Sequence, residues 1–146
     1  SAAGCSAYAG IPLTHRGISR RVQFVTGHFR ENEPLDINWD KLADPQSTLV
    51  IYMGLANLDI ICQSLMNAGL DGETPVAAVQ DATTSSQKRL ISNLINLPAA
   101  VRESELQAPV IVIVGEVVSL ADDLDWFCTQ DKNSLTKDRV NESISA

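Results

Sequence analysis

The residues best able to recognise an anion crowd into the first thirty positions. Arg16, Arg20, Arg21 and Arg30 lie there with both histidines, His15 and His28, and no Asp or Glu accompanies them. This segment carries a formal +4 and the remainder −11, within a net charge of −7. An acidic chain repels polyanions at long range, so an anionic ligand must be met by a local basic surface. Residues 1–30 can supply one, although charge by itself favours the simpler reading of a solvated basic face. The acidic total gives no reason to expect a nucleic-acid partner.

Other chemistry finds little support. Cys5 and His15 could make a nucleophile pair, but a small residue in an Ala-rich stretch is far more often packing. Neither Gly-x-Gly-x-x-Gly nor a P-loop occurs, and His-Glu-x-x-His and Gly-x-Ser-x-Gly are absent as well. Hydride transfer, P-loop phosphoryl transfer, zincin hydrolysis and the usual serine hydrolysis therefore lose ground. Cys5, Cys62 and Cys128 are odd in number and widely spaced. A disulfide framework or a Cys-rich zinc site is not expected, no metal is called for, and reduced thiols suit a cytoplasmic setting or an organelle interior.

The elements that must position these residues alternate. Residues 2–9 are small and Ala-rich and suit a short, tightly packed helix ending at Gly10, with Pro12 preventing continuation. Arg21 to Gly27 reads as a strand with Val22, Phe24 and Thr26 on one side. Residues 31–47 read as a loop carrying one helical turn near Trp39 to Leu42. Thr48 to Met53 is the apolar run that a strand covered on both faces needs.

Leu58, Ile61, Cys62, Leu65 and Met66 recur at three- and four-residue steps, which makes a helix with one apolar stripe that closes at Gly69. Pro75 to Gln80 is a second buried strand. Lys88 to Leu94 is a third, with helix as the alternative. Residues 98–105 begin with Pro98 and form a helix. Pro109 to Val114 is the last buried strand. The expected fold class is α/β: one domain with a mixed sheet flanked by helices.

The longest apolar runs, Leu49 to Met53 and Pro109 to Val114, are far shorter than the ~20 residues a membrane-crossing helix needs, so no membrane partner is expected. Ser1-Ala2-Ala3-Gly4 lacks the basic and apolar regions of a signal peptide. From Thr129 to Ala146 polar residues dominate, which divides the chain into an ordered 1–128 and a disordered tail at 129–146. Asn141-Glu142-Ser143 matches a glycosylation acceptor but carries little weight without evidence of secretion.

One run is more specific than any propensity: Gly4-Cys5-Ser6-Ala7-Tyr8-Ala9-Gly10-Ile11-Pro12-Leu13-Thr14-His15-Arg16-Gly17. It closely resembles the middle of the uroporphyrinogen-III C-methyltransferases, which belong to the tetrapyrrole methylases. Further landmarks follow in that family's order. They are Phe24-Val25-Thr26-Gly27-His28, Leu49-Val50-Ile51-Tyr52-Met53-Gly54-Leu55, Thr74-Pro75-Val76-Ala77, Ala82-Thr83-Thr84 and Val114-Gly115-Glu116-Val117-Val118. The methyltransferase region of siroheme synthases is similar over the same span, from Ser1 to about Phe127, down to a pair like Trp126-Phe127.

The resemblance implies S-adenosylmethionine-dependent C-methylation of uroporphyrinogen III to precorrin-2, by way of precorrin-1, for siroheme or cobalamin. It implies that strand ends of the family's second domain hold the adenosyl group largely through backbone. By position the cofactor residues are then Ser1, beside the family's Thr-Ala pair, Met53 and Ala82. At Ala82 siroheme synthases have Gly, and a methyl there could crowd the cofactor unless φ stays negative. Read without the resemblance, Met53 is a core residue ending a strand and Ala82 a turn residue.

The implied acceptor carries eight carboxylates, and Arg holds carboxylates by paired donors. Arg16, just after the Pro-fixed turn, is the first candidate. His15 and Thr14 can orient the substrate or a pyrrole proton. Arg20 and Arg21 are neighbours on a strand and face opposite ways, so one of them can be mere surface.

The resemblance begins mid-family, so the chain is expected to be the second half of such an enzyme. The catalytic acid or base and the glycine-rich cofactor loop are expected in the other half, and the isolated fragment is expected to be inactive. A homodimer is implied. Two alternatives stand beside this reading: a methylase acting on a later precorrin, and a non-catalytic dimerisation module.

Overall fold

The computed structural model describes residues 1–28 and 37–124. Arg30, Trp126-Phe127, Cys128, Asn141 and the expected 129–146 tail lie outside those residues. Helix α1 spans Ala2–Ala9, strand β1 Arg21–Thr26, the single helical turn α2 Trp39–Leu42, and strand β2 Ser47–Tyr52. Helix α3 spans Leu58–Asn67, strands β3 and β4 Pro75–Gln80 and Lys88–Asn93, helix α4 Leu97–Glu103 and strand β5 Val110–Val114.

All nine expected elements form, counting the single helical turn near Trp39, each within a residue or two of its expected bounds. The ambiguous segment at Lys88 is a strand, because it pairs with β3 from Gln80↔Lys88 to Pro75↔Asn93 and adds an edge to the sheet. Expected β2 ran one residue too far: Met53 leaves the strand with φ 53. Two short 3₁₀ turns, Leu55–Asn57 and Glu116–Leu120, were not anticipated, since one or two turns of i→i+3 bonding leave no periodicity to read.

The sheet order is β1-β2-β5-β3-β4. β1 and β2 are parallel, and every other neighbouring pair is antiparallel. The mixed sheet thus arises from β5, the last strand in sequence, which inserts between β2 and β3. The central strands need apolar residues on both sides, and they have them: Leu49, Val50 and Ile51 on β2, Val76 to Val79 on β3, and Val112 to Val114 on β5 are all buried.

Alternation along these strands divides the core into two layers. On one face Leu49, Ile51, Val76, Ala78, Val112 and Val114 pack with Leu58, Ile61, Cys62 and Leu65 of α3 and Leu97 of α4. On the other, Ala77, Val79 and Ile113 pack with Cys5 and Ala9 of α1, Ile11, and Val117, Val118 and Ala121. Helix α1 can lie close because its residues are small. It ends at Gly10, whose left-handed φ of 68 lets the Ile11 N–H return to Ser6 O at 2.9 Å. Among the described residues no helix is long and apolar enough to cross a membrane.

Candidate functional site

Where β2 ends and β5 begins, this end of the sheet carries a groove of about 650 Å³. It is lined by Ser1, Tyr52, Met53, Leu55 and Ala56 and by Ala108 to Ile111. The lining is mostly apolar, with one polar point where Ser1 Oγ donates to Tyr52 Oη over a long 3.4 Å. Met53 is held in the left-handed region at φ 53 with its side chain 62% exposed. A non-glycine residue in that region costs roughly 1 kcal/mol and persists only where its surroundings impose it.

The imposition comes from two glycines. The N–H of Gly27, following β1, donates to Tyr52 O at 2.6 Å, and Asn57 Nδ2 donates to Gly27 O at 2.9 Å. A Cβ on Gly27 would lie 2.5 Å from Gly54 Cα, and one on Gly54 would lie 2.9 Å from Ile51 Cγ2. Only glycines let the two backbones approach so closely, and the approach turns the chain sharply at Met53.

Ala82 sits at the same end of the sheet, in the turn between β3 and β4. Its neighbours Asp81 and Thr83 are left-handed, with φ 47 and φ 72, while Ala82 is not among the residues of positive φ. The condition under which its methyl is tolerated is therefore met. Ala82 packs against the α1-side core and does not line the groove. Its turn adjoins the groove wall, because Asp81 N–H donates to Pro109 O at 3.4 Å and Gln107 N–H donates to Gln80 Oε1 at 2.7 Å.

Thr14, His15, Arg16 and Arg20 are all exposed and share one loop. His15 and Ser19 close it by a two-residue bridge, with His15 N–H to Ser19 O at 2.9 Å and Ser19 N–H to His15 O at 3.0 Å. The loop is pinned to the sheet where Thr48 Oγ1 donates to Ser19 Oγ at 2.9 Å. Arg20 N–H donates to Gln46 O at 3.3 Å. Thr48 is four residues from Tyr52 along β2, so this anchor stands ~13 Å from the groove at ~3.3 Å per residue, and Gln46, before the strand, lies farther.

The arginines are not equivalent. Arg21 is paired with Asp44, which also accepts from Gln46 N–H at 3.0 Å and Ser47 Oγ at 2.8 Å. Those hydrogen bonds, the Gln46 one foremost, hold the Asp44 carboxyl below its usual range, and Arg21 adds to the effect. Arg16 and Arg20 make no side-chain ion pair or hydrogen bond among the described residues. Two of the expected carboxylate-binding guanidiniums are thus free to take a ligand, and the third is occupied by the fold.

Cys5 is fully buried and desolvation raises its thiol to about 11; burial likewise raises Cys62 to about 12. Both are free cysteines serving as packing, which agrees with setting the Cys5–His15 pair aside. No group of three His, Cys, Asp or Glu side chains among the described residues could hold a metal ion.

Sequence reasoning missed Tyr52 and Gln87. Tyr52 had a signal, as the hydroxyl within the apolar run 49–53. Gln87 had none: it is a polar residue in a polar segment that the fold buries, and one of its partners, Tyr8 O, lies 79 residues away.

Residues 1–98 match the family model described as Tetrapyrrole (Corrin/Porphyrin) Methylases. The siroheme synthase of Azotobacter vinelandii is 50% identical over 127 residues, covering 87% of this chain and 27% of that protein. The chain thus spans about a quarter of the length of that curated relative. Uroporphyrin-III C-methyl transferase from Thermus thermophilus, solved with S-adenyl homocysteine, superposes with a TM-score of 0.64 at 30% identity, over 79% of this chain and 51% of that one. Cobalt precorrin-4 methyltransferase, a cobalamin biosynthetic enzyme, shares the fold at a TM-score of 0.70 and 21% identity, over 79% and 48% of the two chains. With two thirds of its length under the family model and half its residues identical to a siroheme synthase over the matched span, the chain belongs to the tetrapyrrole methylase family.

Proposed function

We propose that this chain contributes the cofactor groove and part of the acceptor surface of an S-adenosylmethionine-dependent methyltransferase that converts uroporphyrinogen III to precorrin-2. The observation that carries the reading is the groove itself. Ser1 and Met53, far apart in sequence, wall one apolar cleft at the strand ends, and the backbone at Met53 is bent to form it. An adenosyl group suits such a lining: the flat face of its adenine takes van der Waals contact from Met53, Leu55 and Pro109, and its polar edge or ribose hydroxyls take polar contact from the Ser1–Tyr52 hydroxyl pair.

Bound S-adenosylmethionine supplies an electrophilic methyl group, and the work left to the protein is orientation. Ser1 and Met53 hold the donor's adenosyl portion, with Ala82 supporting the adjacent turn. Arg16 and Arg20 take acceptor carboxylates, while Thr14 and His15 orient the ring from the same loop. The separation between loop and groove favours an extended acceptor, one end gripped by arginine and the other presented to the donor. The same reading carries a homodimer in the cytoplasm, and exposed apolar side chains such as Phe24, 55% accessible, give a dimer contact surface to use.

The decisive experiment is methyl transfer from labelled S-adenosylmethionine to uroporphyrinogen III, run anaerobically with the complete protein that carries this chain. Products gaining two methyl groups by mass support the reading. Unmodified uroporphyrinogen III in the presence of active cofactor turnover on a later precorrin would reassign the substrate.

A further inference from the structure

Gln87 is buried to 8% exposure, yet it belongs to a polar turn and does not line the groove. Both ends of its amide are engaged across the fold. Its Oε1 accepts the Thr83 N–H at 3.0 Å, and its Nε2 donates to Tyr8 O at 3.2 Å, 79 residues away. These partners dictate the orientation of the amide, since a backbone N–H needs the oxygen and a carbonyl needs the NH₂. Next to it, Arg89 Nη1 donates to Ala9 O at 2.6 Å, so the start of β4 grips the last two carbonyls of α1.

Each end of the amide leads to the groove. Thr83 is left-handed, and its turn reaches the Pro109 wall through the Asp81 N–H. Tyr8 lies in the helix whose N-cap is Ser1, about 10 Å away at ~1.5 Å per residue, and Ser1 lines the groove together with Pro109. Turn and helix also meet directly, since a Cβ on Gly4 would come within 3.1 Å of Thr83 Cγ2. The remaining bonds of the turn are internal: Thr84 Oγ1 donates to Asp81 O at 2.7 Å and Gln87 N–H to Thr84 O at 3.2 Å.

We infer that Gln87 is a positioning residue for the cofactor groove, its amide locking the Asp81–Thr83 turn to α1 and so fixing the spacing between Ser1 and the Pro109 wall. This rests on the reading of that groove as the S-adenosylmethionine site. A methionine at 87 fills a similar volume but loses both bonds. A glutamate keeps the acceptor for Thr83 and loses the donor to Tyr8, so the two links separate.

The test measures S-adenosylhomocysteine binding by calorimetry, and KM for each substrate, in the complete protein carrying this chain. Gln87→Met, Gln87→Glu and Leu90→Ala are compared with the unaltered protein. Leu90 lies on β4, just after Gln87, but packs with the α3-side core, and reports general destabilisation. Gln87→Met is expected to weaken S-adenosylhomocysteine about tenfold, the equivalent of one or two lost hydrogen bonds, with the tetrapyrrole KM within about twofold. Gln87→Glu is expected to fall between, and Leu90→Ala to bind normally at a lowered melting temperature. Unchanged affinity in Gln87→Met, or an equal loss in Leu90→Ala, overturns the role of Gln87 and leaves the groove reading standing. If Gln87→Met does not fold, Gln87→Glu decides, with unchanged binding overturning the inference. Failure of the unaltered protein to bind S-adenosylhomocysteine overturns both the groove reading and the inference.

Discussion

Gly27 and Gly54 meet backbone to backbone: a Cβ on Gly27 would sit 2.5 Å from Gly54 Cα and 2.9 Å from Ile61 Cδ1. That contact brings the ends of the two parallel strands together and sends the chain into the left-handed turn at Met53. Gly27→Ala must push β1 away from β2. The expected cost is about 2 kcal/mol, in the range of overpacked cores. A denaturant melt that leaves the unfolding midpoint unchanged would show that the contact relaxes freely.

Met53 separates backbone strain from binding. Glycine takes φ 53 without strain, and the side chain lost is mostly exposed, so Met53→Gly is expected to leave stability unchanged or raise it by up to ~1 kcal/mol. The same change removes part of the groove wall and is expected to weaken S-adenosylhomocysteine several-fold, by about the ~1 kcal/mol that a partly buried apolar contact contributes. Met53→Ile, which puts a branched side chain on a left-handed backbone, is expected to lose both stability and binding. Thermal melts paired with calorimetry give the two readouts.

Arg16 and Arg21 differ in what they are free to do. Arg16→Ala is expected to leave the melting temperature within error, because the side chain is exposed and holds no partner among the described residues, and to raise the acceptor KM by tenfold or more, roughly the worth of a charged hydrogen bond. Arg16→Lys keeps the charge but loses paired donation, and is expected to recover only part of that loss. Arg21→Ala is expected to do the reverse, lowering stability slightly through Asp44 with the acceptor KM unchanged. Equal KM effects at both positions would place the anion surface elsewhere.

Asp44 links this corner to pH. Its carboxyl is held below the ordinary value of 3.8 in the folded protein, so the folded state favours the ionised form. The resulting stabilisation is complete above 3.8 and disappears as pH falls through the lower folded value. Acid unfolding of Asp44→Asn is therefore expected to show a flatter dependence below about pH 4, where carboxylates titrate. Carbon-detected NMR of the Asp44 carboxyl should find its midpoint below 3.8; a higher midpoint would reverse the sign.

Much of the molecule can be read without coordinates because its cues are local. The Gly10 and Pro12 stop after an Ala-rich helix, the five-residue stripe from Leu58 to Met66 and the unbroken apolar run at β3 each act within a few residues of backbone. Together they set helix and strand in the right order, and the run from Gly4 to Gly17 points to the family. Tertiary structure alone decided what these elements bring together. Nothing local places β5 between β2 and β3, so the mixed order of the sheet had to come from the packing of both faces. Ser1 meets Tyr52 across 51 residues, and Gln87 meets Tyr8 across 79. Such contacts follow no periodicity along the chain and appear only once the sheet has closed. The same closure commits Arg21 to Asp44 and leaves Arg16 open, a division that four arginines of one charge and one segment could not reveal by themselves.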